Sequence, residues 1–349
     1  MTDSTSDSRR TATRLQALDG WRGLAVLAVL LGHFVPGLGT DAPVWGVNLG
    51  RVGVELFFAL SGCLMAPMLF GPVRVLPLGT FARRRFARIV PSMWLFLAVA
   101  LVVAKVRGDW VGVRAPLLAL AGGLNWMPAL GWGDPATVIA HLWSVGVELQ
   151  GYLLLGLIAA LVRRTGDPAA AACRLMAAAL VAILALIGWG ALQGAAVDYY
   201  ARYWRTDHRL VAMLAGALLV TLHDHGRLRL PAGRAVWIGA VLAGLVLQVN
   251  AVPDALKYSV GALLIAVGCA ALARAGEAAA AWLTRPLPVA LGAASFSLYL
   301  WQQLFYASKD TLGSESALVL ALLAGFVAHH GWDQRLHHSV ARWLARRVA

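Results

Sequence analysis

The stretch LDGWRGLAVLAVLLGHF, residues 18–34, places a run of aliphatic residues between Asp19 and Arg22 at one end and His33 at the other. An α-helix turns about 100° and rises about 1.5 Å per residue, so Arg22 and His33 share one stripe, roughly 16 Å apart along the axis. In a helix that crosses a bilayer, the arginine sits at one surface and the histidine near mid-depth.

The rest of the chain says which solvent that helix meets. Over 349 residues, 60% are hydrophobic and only 13% charged, and the mean hydropathy is +0.70. A soluble domain does not carry that balance, so the chain is expected to be a polytopic membrane protein. The net charge of +13 does not point to nucleic acid, because the basic residues lie mainly in short connections between apolar segments. The first ten residues, MTDSTSDSRR, are polar, and the apolar segment after them has no small-residue cleavage site, which predicts a retained first helix. No soluble domain is expected beside the membrane part. Cys63, Cys173 and Cys269 stand singly in apolar segments and read as buried thiols, with no disulfide framework and no metal site.

A span needs about 20 mostly apolar residues. Ten are expected, near 19–38, 51–70, 89–106, 138–162, 170–193, 209–223, 234–252, 256–274, 286–307 and 316–333. The fold class is thus all-α: a transmembrane bundle of about ten helices. A polar tail (1–14) precedes the domain (15–335), and a basic tail (336–349) follows it. Segment 115–131, broken by Gly122, Gly123, Asn125 and Pro128, reads as re-entrant or interfacial. With this count, Arg9, Arg10 and Arg14, Arg83 to Arg85 and Arg88, Arg163 and Arg164, Arg227, Arg229 and Arg234, Arg274 and Arg285, and Arg342, Arg346 and Arg347 all fall on one side. The positive-inside rule makes that side the cytoplasm, with both termini in it, and the protein an inner-membrane one.

Ionisable groups at membrane depth cost roughly 3 kcal/mol on insertion scales and usually have a task or a partner. His33 suits proton transfer, since a neutral imidazole takes a hydroxyl proton near neutral pH. In GVELFFALSG, residues 53–62, Glu55 opens the second span, while Ser61 and Gly62 permit close helix contact. In HLWSVGVELQGYL, residues 141–153, His141, Ser144, Glu148 and Tyr152 form one polar stripe. In GAASFSLYLWQQLFY, residues 292–306, Ser295, Tyr299, Gln302 and Tyr306 form another, suited to helix contact or to substrate. Asp333 closes the last span. In FARRRFARIVP, residues 81–91, Arg84, Arg85 and Arg88 hold a loop inside and, with Arg85 and Arg88 on one helix face, suit the clamping of phosphates.

These motifs, with DHRLVAMLAGALL at 207–219, occur in the order seen in the acyltransferase-3 family of integral membrane acyltransferases, which the chain resembles over nearly its whole length. The resemblance implies an acyl-CoA donor, most often acetyl-CoA, used as co-substrate at the cytoplasmic face with no permanently bound cofactor. It implies transfer to a hydroxyl of a sugar, cell-wall polymer, lipid-linked glycan or macrolide. Carried onto this sequence, the family's site residues fall on Arg22, His33, Glu55, Arg85, Arg88, Trp143, Ser144, Glu148 and Tyr299. Gln302 stands where the family commonly has histidine, and Asp333 with Arg335 only weakly matches a late glutamate-arginine-proline.

The expected activity is O-acylation, with His33 as general base or transient acyl carrier and Glu148 or Glu55 orienting its imidazole. The substrate cavity would draw on Ser61, His141, Trp143, Ser144, Tyr152, Tyr299 and Gln302. A transporter or flippase is the rival reading, since a polar cavity at mid-depth also suits substrate passage. Matching broken helices in two halves would favour it, and the chain has no internal repeat.

Overall fold

A computed structural model describes residues 3–73, 75–109, 112–193, 198–231, 233–274 and 281–346. Helices dominate it: α1 (Asp3–Phe34), α2 (Leu49–Phe70), α3 (Leu78–Val106), α4 (Leu142–Val162), α5 (Pro168–Leu192), α6 (Val211–Asp224), α7 (Arg234–Val246), α8 (Ala262–Leu272), α9 (Pro286–Ala293), α10 (Ser295–Tyr306), α11 (Ser314–Ala328) and α12 (Gln334–Arg346), with shorter turns between them. Among the described residues no strand forms, and a single isolated bridge joins Val47 and Val249.

Among the described residues, six stretches are long and apolar enough to cross a membrane: Gln16–Phe34, Leu49–Phe70, Leu78–Val106, Thr137–Val162, Pro168–Leu192 and Asp254–Leu272. Other expected spans take a different form. α6 and α7 are apolar but shorter. The stretch expected at 286–307 divides at Ala294 into α9 and α10. The last one passes from α11 through a π-helical turn, His329–Asp333, into α12. α1 begins at Asp3, inside the stretch expected to be a polar tail. The side chains of Arg9, Arg10 and Arg14, and all of Arg347, lie outside the described residues.

Burial sorts the helices by what surrounds them. Pro168–Leu192 has the highest hydropathy of the six, 2.4, yet only 22% of its window is buried, whereas 78% is buried for Leu49–Phe70. An apolar helix with most of its surface uncovered belongs against lipid, so α5 lies at the periphery and α2 at the centre. α2 packs against α1, α6 and α8, and α1 packs in turn against α9. Small residues permit the close approach: a Cβ on Gly62 would stand 2.0 Å from the Met213 carbonyl oxygen, and one on Gly53 would stand 2.4 Å from that of Ala25. α2 starts on Asn48, whose side chain accepts from the Arg51 amide at 3.1 Å. α5 starts on Asp167, whose carboxylate accepts from the Ala170 amide, with Pro168 at the first helical position.

Loop contacts define two ends of the bundle. Arg163 donates to the Leu76 carbonyl at 3.2 Å, Arg227 pairs with Asp167, and Arg274 Nε donates to Asp224 at 2.7 Å, so these arginine-rich connections share one end. At the other, the Asn250 amide donates to Ala42 at 3.0 Å and Arg107 pairs with Ser308. Segment 115–131 forms no long helix: it is a short one, Arg114–Leu120, followed by two 3-10 turns. Its polar groups are satisfied from α4, where the Gln150 amide donates to the Gly122 carbonyl at 2.7 Å and to Asn125 Oδ1 at 2.9 Å. Irregular backbone survives beside a membrane when protein supplies such partners.

Candidate active site

Of the cavities among the described residues, two hold the expected site residues, and the first of these is built on the arginine cluster. It is about 220 Å³, lined by Arg22 from α1, Ser61 from α2, Arg85 and Arg88 from α3, Ser144, Glu148 and Tyr152 from α4, and Ser295 and Tyr299 from α10, among others. Ser61 donates to Glu148 Oε1 at 2.7 Å. The Tyr152 hydroxyl donates to Ser61 at 3.1 Å and also to Glu148. The Arg85 guanidinium lies over the Tyr152 ring, 5.9 Å from its centroid, and its Nε is buried without a hydrogen-bond partner. Arg22, Arg85 and Arg88 form no ion pair with a described residue. Three cations around one hollow, against the two carboxylates of Asp19 and the hydrogen-bonded Glu148, give a lining of net positive charge that suits an anion. Arg84 does not join them: it is exposed and lines neither cavity, because it stands on the outward face of α3.

The second cavity, about 450 Å³, holds His33, His141, Trp143, Arg209 and Tyr306, with Tyr199, Tyr200, Trp204, Asp134 and Arg51 around its wall. The His33 imidazole stacks on the Tyr306 ring with centroids 4.3 Å apart. Its Nδ1 lies 2.8 Å from Gln302 Oε1. The amide orientation follows from the rest of the network. Gln302 Nε2 donates to Gln303 Oε1 at 3.1 Å and to the Tyr299 carbonyl at 3.4 Å, and Gln303 Nε2 donates to the Thr137 carbonyl at 2.5 Å. Gln302 therefore presents its oxygen to the imidazole, Nδ1 carries the proton, and Nε2 keeps its lone pair. That is the tautomer of a base.

Neither glutamate orients His33. Glu148 belongs to the arginine cavity. Glu55, 1% exposed, stands 2.9 Å from the Arg209 guanidinium, itself 1% exposed, and its second oxygen has no hydrogen-bond partner. A carboxylate at that depth needs a cation more than it needs a neutral imidazole, and Arg209 supplies it. The Arg209 guanidinium also lies under the Tyr258 ring at 4.2 Å and the Trp143 ring at 5.0 Å, so it forms a rigid floor. Arg209 was legible as an arginine heading an apolar helix, by the same depth argument that singles out Glu55. The aromatic wall was legible as DYYARYW, residues 198–204.

The stripes on α1 and α4 are longer than either cavity, which is why the expected substrate residues separate. Arg22 faces the first cavity and His33 the second; Ser144, Glu148 and Tyr152 face the first, whereas His141 and Trp143 face the second. Tyr299 lines both. Its hydroxyl is 2.5 Å from Ser144 Oγ and donates to the His141 carbonyl at 3.0 Å. Gln302 is fully buried and reaches the second cavity only through His33. Asp333 is buried with neither carboxylate oxygen hydrogen-bonded, apart from both linings.

Comparison with known proteins bears on what such a pair of cavities does. A family model described as an acyltransferase domain, acyltransferase-3, matches residues 15–343. The O-acetyltransferase OatA of Staphylococcus aureus is 25% identical over 221 residues, covering 59% of this chain and 34% of the relative. The peptidoglycan O-acetyltransferase OatA of Listeria monocytogenes is 26% identical over 162 residues, covering 42% of this chain and 24% of the relative. The chain thus spans about a third or less of the length of these relatives. No solved structure matches it significantly.

Proposed function

We propose, from the premise that this chain belongs to the acyltransferase-3 family, that it is a membrane-embedded O-acetyltransferase. It moves an acetyl group from acetyl-CoA to a hydroxyl of a carbohydrate, cell-surface glycan or macrolide-like acceptor. The observation that carries this reading is the adjacency of two unlike cavities. One offers Arg22, Arg85 and Arg88, none of them ion-paired with a described residue, and the other offers a histidine whose Nδ1 is engaged by Gln302, leaving Nε2 to take a proton.

Guanidinium forks match the pyrophosphate of the donor, which would occupy the arginine cavity. The thioester end then points toward Tyr299 and the acceptor enters from the histidine cavity. His33 Nε2 takes the proton of the acceptor hydroxyl as its oxygen attacks the thioester carbonyl carbon. The carbon–sulfur bond breaks, the sulfur leaves as a thiolate, and that thiolate takes the proton from the imidazolium. Acetyl ester and free CoA result. Gln302 holds the ring in the tautomer that makes the first step available, the orienting task that carboxylates perform beside other catalytic histidines.

The chain is placed in the cytoplasmic membrane with ten crossings, the shorter apolar helices included, and with both termini and the arginine cavity on the cytoplasmic side. The gathering of Arg163, Arg227 and Arg274 at one end of the bundle supports that orientation. The test is acetyl-CoA binding and acetyl transfer by the purified chain in detergent. His33→Ala is expected to abolish transfer while donor binding survives. A wild type without affinity for any acyl-CoA overturns the reading and favours a transporter.

A further inference from the structure

The residues that separate the two cavities have a consequence for which acyl group can cross. Among the described lining residues, only Val54 and Tyr299 face both cavities, and each is 7% exposed. The Tyr299 ring is not free to swing. Its hydroxyl is held by Ser144 at 2.5 Å and by the His141 carbonyl at 3.0 Å, and the Phe57 ring meets it edge-on with centroids 6.3 Å apart. Val54 sits on α2, the most buried of the long apolar helices, beside the Gly53 contact with α1. Both walls of the neck are therefore fixed by packing on one side and hydrogen bonds on the other.

We infer that Val54 and Tyr299 form a rigid neck that sets acyl chain length, admitting a two-carbon acyl group and excluding longer ones. The inference rests on the function proposed above, since it needs a donor in the arginine cavity and a base in the histidine cavity. A thioester carbonyl that is to meet a hydroxyl held by His33 must stand at this neck. Its acyl tail then lies between the Val54 side chain and the Tyr299 ring, or must compete with the acceptor for space beyond them. A methyl group asks for less room beside the valine than a propyl chain, so the longer tail is the one that would have to displace a wall. Close-packed walls resist such movement, and one methylene in an apolar pocket typically changes selectivity by about tenfold or more.

The experiment compares acetyl-, propionyl- and butyryl-CoA as donors for wild type, Val54→Ala and Tyr299→Phe, with the butyryl-to-acetyl ratio of kcat/KM as the readout. Val54→Ala is expected to raise that ratio roughly tenfold. Tyr299→Phe, which keeps the ring and releases its two tethers, raises it by less and slows acetyl transfer. Should Val54→Ala fail to fold, Val54→Ile narrows the same neck and lowers the propionyl-to-acetyl ratio instead. A wild type active with acetyl-CoA whose ratios are unmoved by these variants overturns the neck alone. A wild type that transfers no acyl group overturns the proposed function and the neck with it.

Discussion

Arg209, at the floor of the histidine cavity, has a carboxylate 2.9 Å away, whereas Arg22, Arg85 and Arg88, around the other cavity, have no ion pair with any described residue. Arg22, Arg85 and Arg88 stand on long helices that include apolar runs, and Arg209 closes a four-residue turn of helix, Thr206–Arg209, just before the apolar α6. A buried charge with its counter-ion built in is part of the fold, because removing either member leaves the other stranded in a poor solvent. Cations that outnumber the carboxylates around them repel one another, and an anionic ligand, as the proposed function requires, would relieve that repulsion. The same residue type is thus paired within the fold in one cavity and, on the proposed function, left for a ligand in the other.

The largest expected effect breaks the architectural half. Arg209→Ala leaves Glu55 buried and unpaired, at a cost of about 3–5 kcal/mol. A protein of ordinary stability does not tolerate that loss well, so the variant should melt far below wild type in detergent or fail to accumulate. The double variant Glu55→Leu with Arg209→Met, which removes both charges and keeps apolar volume, should recover much of the lost stability. If Arg209→Ala melts like wild type, Arg209 is no structural cation and the contrast between the cavities collapses.

The arginine cavity should behave in the opposite way. On the proposed function, Arg85→Ala and Arg88→Ala should each remove a charge-assisted contact to the donor, worth about 1.5–3 kcal/mol, which is roughly 10- to 100-fold in the Kd for acetyl-CoA. Melting temperature without ligand should hold or rise, since a like-charge neighbour has gone. Isothermal titration and a thermal melt on the same sample separate the two quantities. Arg84→Ala, on the outward face of α3, should leave donor affinity unmoved, and a loss there would mean that the cavity has been drawn too small.

Gln302 sharpens the other cavity. Gln302→Leu keeps much of the side-chain volume but removes the acceptor for His33 Nδ1, so the imidazole loses its fixed tautomer. Partners that orient a functional histidine are commonly worth 10- to 100-fold. The loss should fall on kcat, with the Kd for acetyl-CoA unchanged, since Gln302 does not line the donor cavity. A variant with normal kcat would leave His33 without a positioning residue.

How much of this could be read from the chain alone differs between the two halves for a physical reason. Helical periodicity is local, so the stripe of Arg22 and His33, the stripe ending in Glu148 and Tyr152, and the shared face of Arg85 and Arg88 all emerge from spacing. Pairing across helices is not local. Glu55 and Arg209 lie in motifs far apart in the chain, and nothing in either motif names the other, so the expectation that Glu55 or Glu148 would hold His33 gave way to Gln302. The division of one polar seam into two cavities was equally hidden, because Val54 looks like an ordinary helix-packing residue and nothing in the stripe that contains Tyr299 shows that its ring stands between two hollows. Segment 115–131 was legible as a stretch too broken for one long helix, through Gly122, Gly123 and Pro128, but its anchor on Gln150 was not.

The smallest effect concerns a surface version of the buried pair, one turn before Arg209. Arg205 Nε donates to Asp207 Oδ1 at 3.0 Å, and His208 Nδ1 lies 3.2 Å from the same oxygen. Partial burial pushes the Asp207 carboxyl up, but the hydrogen bond with His208 and then the Arg205 guanidinium outweigh it and hold the carboxyl down at about 2. An unfolded aspartate titrates near 3.9. A depressed carboxyl contributes stability that is complete above the unfolded value and fades as pH falls through the folded one. Asp207→Asn should therefore narrow the gap to wild type between about pH 4 and pH 2 and leave a constant small deficit from pH 5 to 8. Because Asp207 is 27% exposed and Arg205 36% exposed, solvent screening limits that deficit to about 1 kcal/mol or less. Thermal melts of both proteins at pH 7 and pH 3 measure it. A deficit at pH 7 as large as that of Arg209→Ala would show that depth in the bundle, the variable on which the comparison of the two cavities turns, does not set what an ion pair is worth in this protein.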